Sequence, residues 1–249
     1  MIKVFRKIRY DLMEKNKTRK YFKYAIGEIV LVVVGILIAL QINNWNENRK
    51  LKGAEIKLLQ NFRTSIETDT ITLNYYINEF SIIEKKINRI ARYIEEDLAY
   101  SGDSLQFAHA TATWWVNIDQ EIFATVTSGD LNNISNDVLK KEIISYYSYA
   151  SGKFDTSIKN YEDYIHEYGV RNILNTRFTS FAYSPSGGQN QSVPNNWEAL
   201  KKDKEYRYFL KTQQSYFFWY VKLPLDEAKE KADQLLGSIS KELKKFDKK

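Results

Sequence analysis

The polar and apolar positions of this chain change their rhythm twice. From Ile29 to Leu40 the sequence is unbroken apolar, and with its flanks, Tyr24 to Ile42, it extends to nineteen residues. At ~1.5 Å rise per residue, that length crosses a ~30 Å hydrocarbon core. The pattern predicts a membrane-spanning helix over 24–42. From Glu55 to Leu98 the chain has neither Gly nor Pro, and its apolar or weakly polar positions are Ile56, Leu59, Phe62, Ile66, Thr70, Leu73, Ile77, Phe80, Ile83, Ile87, Ile90, Ile94 and Leu98. Spacings of three and four predict a helix with one buried stripe, and the near-heptad repeat predicts coiled-coil-like packing against another helix. The β-branched run Thr68–Thr72 is the one local weakness in it.

Beyond Leu98 the rhythm breaks at Ser101-Gly102-Asp103. Asp103 with Gln106 fits the start of a short helix through Ala112, and Asn117 with Gln120 the start of another, ending at Ser128. GDLNNIS reads as a loop, and Ser135 as the cap of a long helix. The stripe of that helix is Leu139, Ile143, Tyr147, Ala150, Phe154, Ile158, Tyr161, Ile165 and Tyr168, with a bend expected at Gly169 and a weak continuation to about Phe181. Residues 184–196, SPSGGQNQSVPNN, read as a flexible loop. The final helical region runs from Trp197 to Phe246, and Pro224 is expected to kink or break it. The fold class is therefore all-α: one N-terminal transmembrane helix followed by a bundle of long, coiled-coil-like helices.

Charge adds a direction. Residues 1–23 hold nine basic and two acidic groups, whereas the remaining 28 basic and 29 acidic residues nearly cancel. The net charge of +6 thus belongs to one short tail, which removes the case for a nucleic-acid-binding face. The positive-inside rule places residues 1–23 in the cytoplasm as a basic amphipathic leader, with Ile2, Phe5, Ile8 and Leu12 at helical spacing. Residues 43–249 become a periplasmic helical domain. The long leader and the absence of an A-x-A pattern after Leu40 argue against a cleaved signal peptide. The chain has no cysteine, so thiolate chemistry and disulfides are absent.

Within the span, Glu28, Gly35 and Ala39 fall within a narrow arc of one helix face at ~100° per residue. Gly35-x-x-x-Ala39 is a small-xxx-small pair of the kind that lets helices approach, and Glu28 is an ionisable residue in an apolar setting. They form a candidate contact face, and Trp45 is a candidate interface anchor. The partners expected are membrane lipid and either a second copy or another membrane protein, engaged through helices.

No catalytic constellation is visible. His109 and His166 are far apart and neither has a second His at helical spacing. His166-Glu167 reads as a solvent-facing pair. The loop from Asp130 loses the pattern of a calcium loop after two ligand positions, and Gly187-Gly188 lacks the spacing and the Lys of a phosphate loop. No metal or cofactor is expected. Tyr206, Tyr208, Phe209, Tyr216, Phe217, Phe218, Trp219 and Tyr220 put eight aromatics in fifteen residues. That block is either bundle core or a ligand or partner surface.

The run YAIGEIVLVVVGILIALQINNWNE behind a basic amphipathic leader resembles an uncharacterised bacterial family of single-pass membrane proteins found in Bacteroidota. TSGDLNNISNDVLKKEIISYY is similar to a second recurrent segment of that family. The resemblance implies a bacterial inner-membrane location and this architecture, and it brings no activity and no site residues. The sequence is thus read as a non-enzymatic, membrane-anchored helical interaction or scaffold protein. The alternative is a periplasmic sensory or ligand-binding domain that signals through a partner protein.

Overall fold

A computed structural model describes residues 10, 18–100, 105–113, 116–126, 128–182 and 191–247. The expected leader helix over 2–13, Asp103, the Trp114-Trp115 pair and Gly187-Gly188 lie outside the described residues, apart from Tyr10. The chain divides into two compact units, Met1–Glu55 and Ile56–Lys249.

In the first unit, helix α1 (Thr18–Glu95) is already under way. Every residue from Ile29 to Ile42 is exposed, with Leu31 at 65% and Ile42 at 61%. Trp45 is 65% exposed, and the Arg49 guanidinium lies 5.4 Å from its ring centroid.

The second unit is built on three long helical rods. The first is α1 beyond Glu55, where Leu59, Phe62, Ile66, Leu73, Phe80, Ile83, Ile87, Ile90 and Ile94 are all buried, as the periodicity predicts. The Thr68–Thr72 run does not interrupt it. The rod stops earlier than the Ser101-Gly102 break. Asp97 takes a left-handed φ of 51°, and the Leu98 N–H donates back to the Tyr93 carbonyl at 2.9 Å. That is the terminating geometry glycine usually supplies, adopted here by an aspartate.

Short elements follow: a 3-10 turn at Phe107–Thr111, helix α2 (Glu121–Thr125) and helix α3 (Ser128–Asn132). Three expectations are corrected here. Asp119, rather than Asn117, bonds the first turn of α2, its Oδ1 accepting from the Glu121 N–H at 2.9 Å. GDLNNIS, expected as a loop, begins inside α3. Asn136, not Ser135, caps α4 (Asp137–Tyr149), its Oδ1 accepting from the N–H groups of Val138 and Leu139.

The second rod continues from α4 through a widened π turn (Ala150–Phe154), α5 (Asp155–Tyr164), a second widened stretch (Ile165–Leu174) and α6 (Asn175–Arg177). It then ends in a strand rather than fading toward Phe181. β1 (Phe178–Ala182) pairs antiparallel with β2 (Gln191–Pro194), with Phe181 opposite Ser192 and a bulge between Phe178 and Phe181. The latter part of the expected 184–196 loop is thus a strand and a cap, because Asn196 accepts from the Ala199 N–H to start α7 (Trp197–Lys202).

The third rod is α8 (Lys204–Tyr216), a widened stretch (Phe217–Lys222) and α9 (Leu223–Asp247). Asp203 opens it, accepting from the N–H groups of Glu205 and Tyr206. Pro224 does not break this rod. Proline lacks the N–H that would bond back four residues, and the chain just before it is already wound with longer-range bonds. The buried positions explain the winding. Phe209, Gln213, Phe217, Val221 and Leu225 are spaced by successive fours. At ~100° per residue each such step drifts ~40° around an α-helix, and a turn holding an extra residue resets the face. Ile165, Gly169 and Ile173 repeat the same device in the second rod.

The rods meet through aromatics and a few polar pairs. Phe62 packs on Tyr147 at 5.8 Å, and Phe217 touches both Phe80 (5.8 Å) and Tyr161 (5.9 Å). The first two rods therefore run parallel. The third returns antiparallel, with Gln214 donating to Asn88 at 2.8 Å and Lys222 paired with Glu84 at 2.8 Å. At the far end, Lys201 bonds Asp97 at 2.5 Å and Trp197 donates to the Leu98 carbonyl at 3.2 Å.

Gly169 packs against the third rod and the 3-10 turn. A Cβ there would lie 3.2 Å from Cε2 of Phe209 and 3.3 Å from Cγ2 of Thr111, whereas a Cβ at Gly152 would meet nothing within 4 Å. Gly152→Ala is expected to stabilise by about 0.5–1 kcal/mol, the helix propensity difference. Gly169→Ala is expected to forfeit that gain and lower the melting temperature, since ring and methyl must both move. Thermal unfolding followed by circular dichroism compares the two. Equal stabilisation by both would contradict the close approach.

Candidate functional site

The aromatic block divides by helical phase. Tyr206, Phe209 and Phe217 are buried, Tyr216 and Tyr220 are half-buried, and Tyr208, Phe218 and Trp219 are exposed at 66%, 41% and 58%. Tyr206 packs against Phe178 and Phe209. Burial pushes its phenol well up from the ordinary tyrosine range. Gln213 holds the centre of the block, its amide donating to the Tyr161 hydroxyl at 2.5 Å. The block is therefore core on one face and surface on the other. Tyr164, Tyr216 and Tyr220 form a ladder along its edge, with centroids 4.5 and 5.1 Å apart.

Glu28, Gly35 and Ala39 all lie on α1, as expected. A Cβ at Gly35 would meet nothing within 4 Å. They share a face by helix geometry.

The periodicity gives no hint of a polar centre that the structure assembles around Asp69. This carboxylate is only 2% exposed, yet it flanks the apolar stripe of α1. Its Oδ2 accepts from the Tyr146 hydroxyl at 2.8 Å, and its Oδ1 from the Asp119 N–H at 3.0 Å. Tyr147 beside it donates to Ser65 at 3.3 Å and stacks on Phe123 at 4.7 Å. Two rods and the 116–126 segment are thereby tied at one carboxylate. An open cleft of about 550 Å³ lies against it, lined in part by Thr68, Thr72, Asp119 and Glu121. Burial raises the Asp69 pKa, and the Tyr146 and Asp119 bonds offset that only in part. The Tyr146 phenol is driven far up by burial and by Asp69 itself. Burial thus favours the protonated carboxyl, and its phenol neighbour is a poor acid that keeps its proton.

His109 is half-buried. Its Nε2 lies 3.0 Å from the Lys86 ammonium and its Nδ1 3.3 Å from the Gln106 carbonyl. Burial first, and then Lys86, lower its pKa. The ring is thus neutral, accepting from Lys86 and donating to Gln106. His166 is exposed as expected, while Glu167 pairs with Arg171 at 2.7 Å. No three His, Asp or Glu side chains gather as a metal site among the described residues.

The fold thus defines a protein of the all-α class with one small two-stranded sheet and, among the described residues, one helix long and apolar enough to cross a membrane. Residues 28–101 match the profile of a family of unknown function (DUF6090). That match covers the apolar stretch from Glu28 onward and the first rod, and leaves the segment TSGDLNNISNDVLKKEIISYY outside it; the family has no known role. No curated protein and no solved structure matches the chain.

Asp69 yields a pH prediction. Its folded pKa is raised, so its charge costs stability at neutral pH, and that cost is relieved as pH falls through the folded pKa. Groups with lowered pKa, Asp97 by its bond from Lys201 and Glu227 by its bond from Lys153, act oppositely and lose stability in acid. Asp69→Asn isolates the effect. Its oxygen can accept from Asp119 while its amide donates to Tyr146. The stability difference in favour of the variant should be largest near neutral pH and shrink toward about pH 4. A difference that grows on acidification would contradict the raised pKa.

Proposed function

We propose that the protein is a non-catalytic, membrane-anchored interaction protein of a bacterial inner membrane, with residues 1–23 cytoplasmic and residues 43–249 a periplasmic helical domain. The observation that carries the reading is that residues 29–42 are exposed all round. Lipid covers most of such a helix. A second copy covers the face of Glu28, Gly35 and Ala39, where the open space at Gly35 lets backbones approach. Trp45 lies at the outer interface as an anchor. The basic leader supports the orientation.

Alkaline phosphatase, active only outside the cytoplasm, is expected to be active when fused after Lys249. A stable but inactive fusion would refute the orientation. Gly35→Ile should weaken self-association in a bacterial inner-membrane assay by about fivefold, the effect of ~1 kcal/mol, without stopping insertion. Val33→Ile, about 160° away around the helix, should change little. Equal signals from wild type and Gly35→Ile would remove self-association through this face.

A second reading, a ligand-binding domain, is favoured by the open clefts on the bundle.

A further inference from the structure

Helices α4 and α9 pack antiparallel, with Tyr149 donating to the Pro224 carbonyl at one end and Asn136 to Glu242 at the other. Between these ties their side chains leave a cleft of about 340 Å³. That volume lies at the lower end of the ~300–1,000 Å³ range of small-molecule sites.

The lining has an unusual electrical arrangement. Glu142 lines the cleft, and its carboxylate oxygen Oε2 is buried with no hydrogen-bond partner among the described residues. A buried carboxylate oxygen without a donor is costly, and native structures rarely leave one. Lys141 and Lys231 stand on the same cleft, and neither forms an ion pair among the described residues. Lys231 instead holds its ammonium 5.3 Å from the Tyr149 ring centroid. The acid it helps to ionise, Glu227, is occupied by Lys153 at 2.6 Å. Val138 and Leu235 add aliphatic surface to the same walls.

We propose that this cleft binds a small zwitterion, its ammonium on Glu142 and its carboxylate between Lys141 and Lys231. A simple anion would meet Glu142 unscreened, and a simple cation would meet two lysines. Only a molecule carrying both charges satisfies all three groups, and the apolar walls suit a short aliphatic side chain. An α-amino acid with such a side chain has this chemistry. The proposal goes beyond the anchoring role and does not depend on it, because both helices belong to the second unit.

The test uses the full-length protein in lipid nanodiscs and L-leucine as the probe. Its two halves serve as controls: 4-methylpentanoate, which lacks the amine, and 3-methylbutylamine, which lacks the carboxylate. Saturation-transfer NMR should show leucine binding at least about tenfold tighter than either half. Glu142→Gln and Lys231→Met, both checked for an unchanged far-ultraviolet spectrum, should each weaken leucine by about tenfold or more. If Glu142→Gln fails to fold, Lys141→Met with Lys231→Met reads the same site. No leucine binding up to about 10 mM would overturn the proposal. So would equal binding of the amine alone, or undiminished binding by the variants.

Discussion

A helix that is apolar on every side needs a covering other than water. Residues 29–42 have that composition and that exposure, and further along the same helix the apolar positions narrow to a single stripe. The change of pattern suits two different solvents. Around the first stretch, backbone bonds are satisfied within the helix and the side chains suit hydrocarbon. Past Glu55 the helix contributes one face to a core and leaves the other to water. The short polar run 43–50 between the two, with its tryptophan and arginine, suits an interface.

Within the bundle the apolar stripes supply the bulk of the attraction, and a few buried polar bonds decide which arrangement results. Asp69 illustrates the trade. Its desolvation is only partly offset by two bonds, so it weakens the fold at neutral pH. In return it ties two rods and the crossing segment to one another, with the Tyr147 bond to Ser65 one turn earlier on α1. The Lys201–Asp97 bond and the Trp197 donation perform the corresponding task at the far end, tying α7 to the close of the first rod.

Much of this was legible in the sequence, and what was not has identifiable causes. The stripes of the first two rods follow from spacing alone, because a helix buries whatever recurs at three and four. Capping residues were displaced by one or two positions, since Ser135 and Asn136, like Asn117 and Asp119, are chemically able to do the same work and only backbone geometry chooses between them. The strands went unseen because five and four residues are too few to show alternation. Asp69 was hidden because an acid on the flank of a stripe reads as solvated until its partners, 50 and 77 residues away, are known. From spacing alone the aromatic block reads as core or surface, and it is both. Its buried members fall at 206, 209 and 217, a phase the sequence already contained.

The widened turns carry a consequence for chain length. Each holds one residue more than an ordinary turn would, and everything downstream is rotated by about a quarter of a circle. A related chain built with ordinary turns would have to be shorter by one residue each at 150–154 and 217–222, and by more across the longer 165–174 stretch, or its faces would misalign. Short gaps inside otherwise continuous helices are therefore the form in which divergence from this architecture would be written.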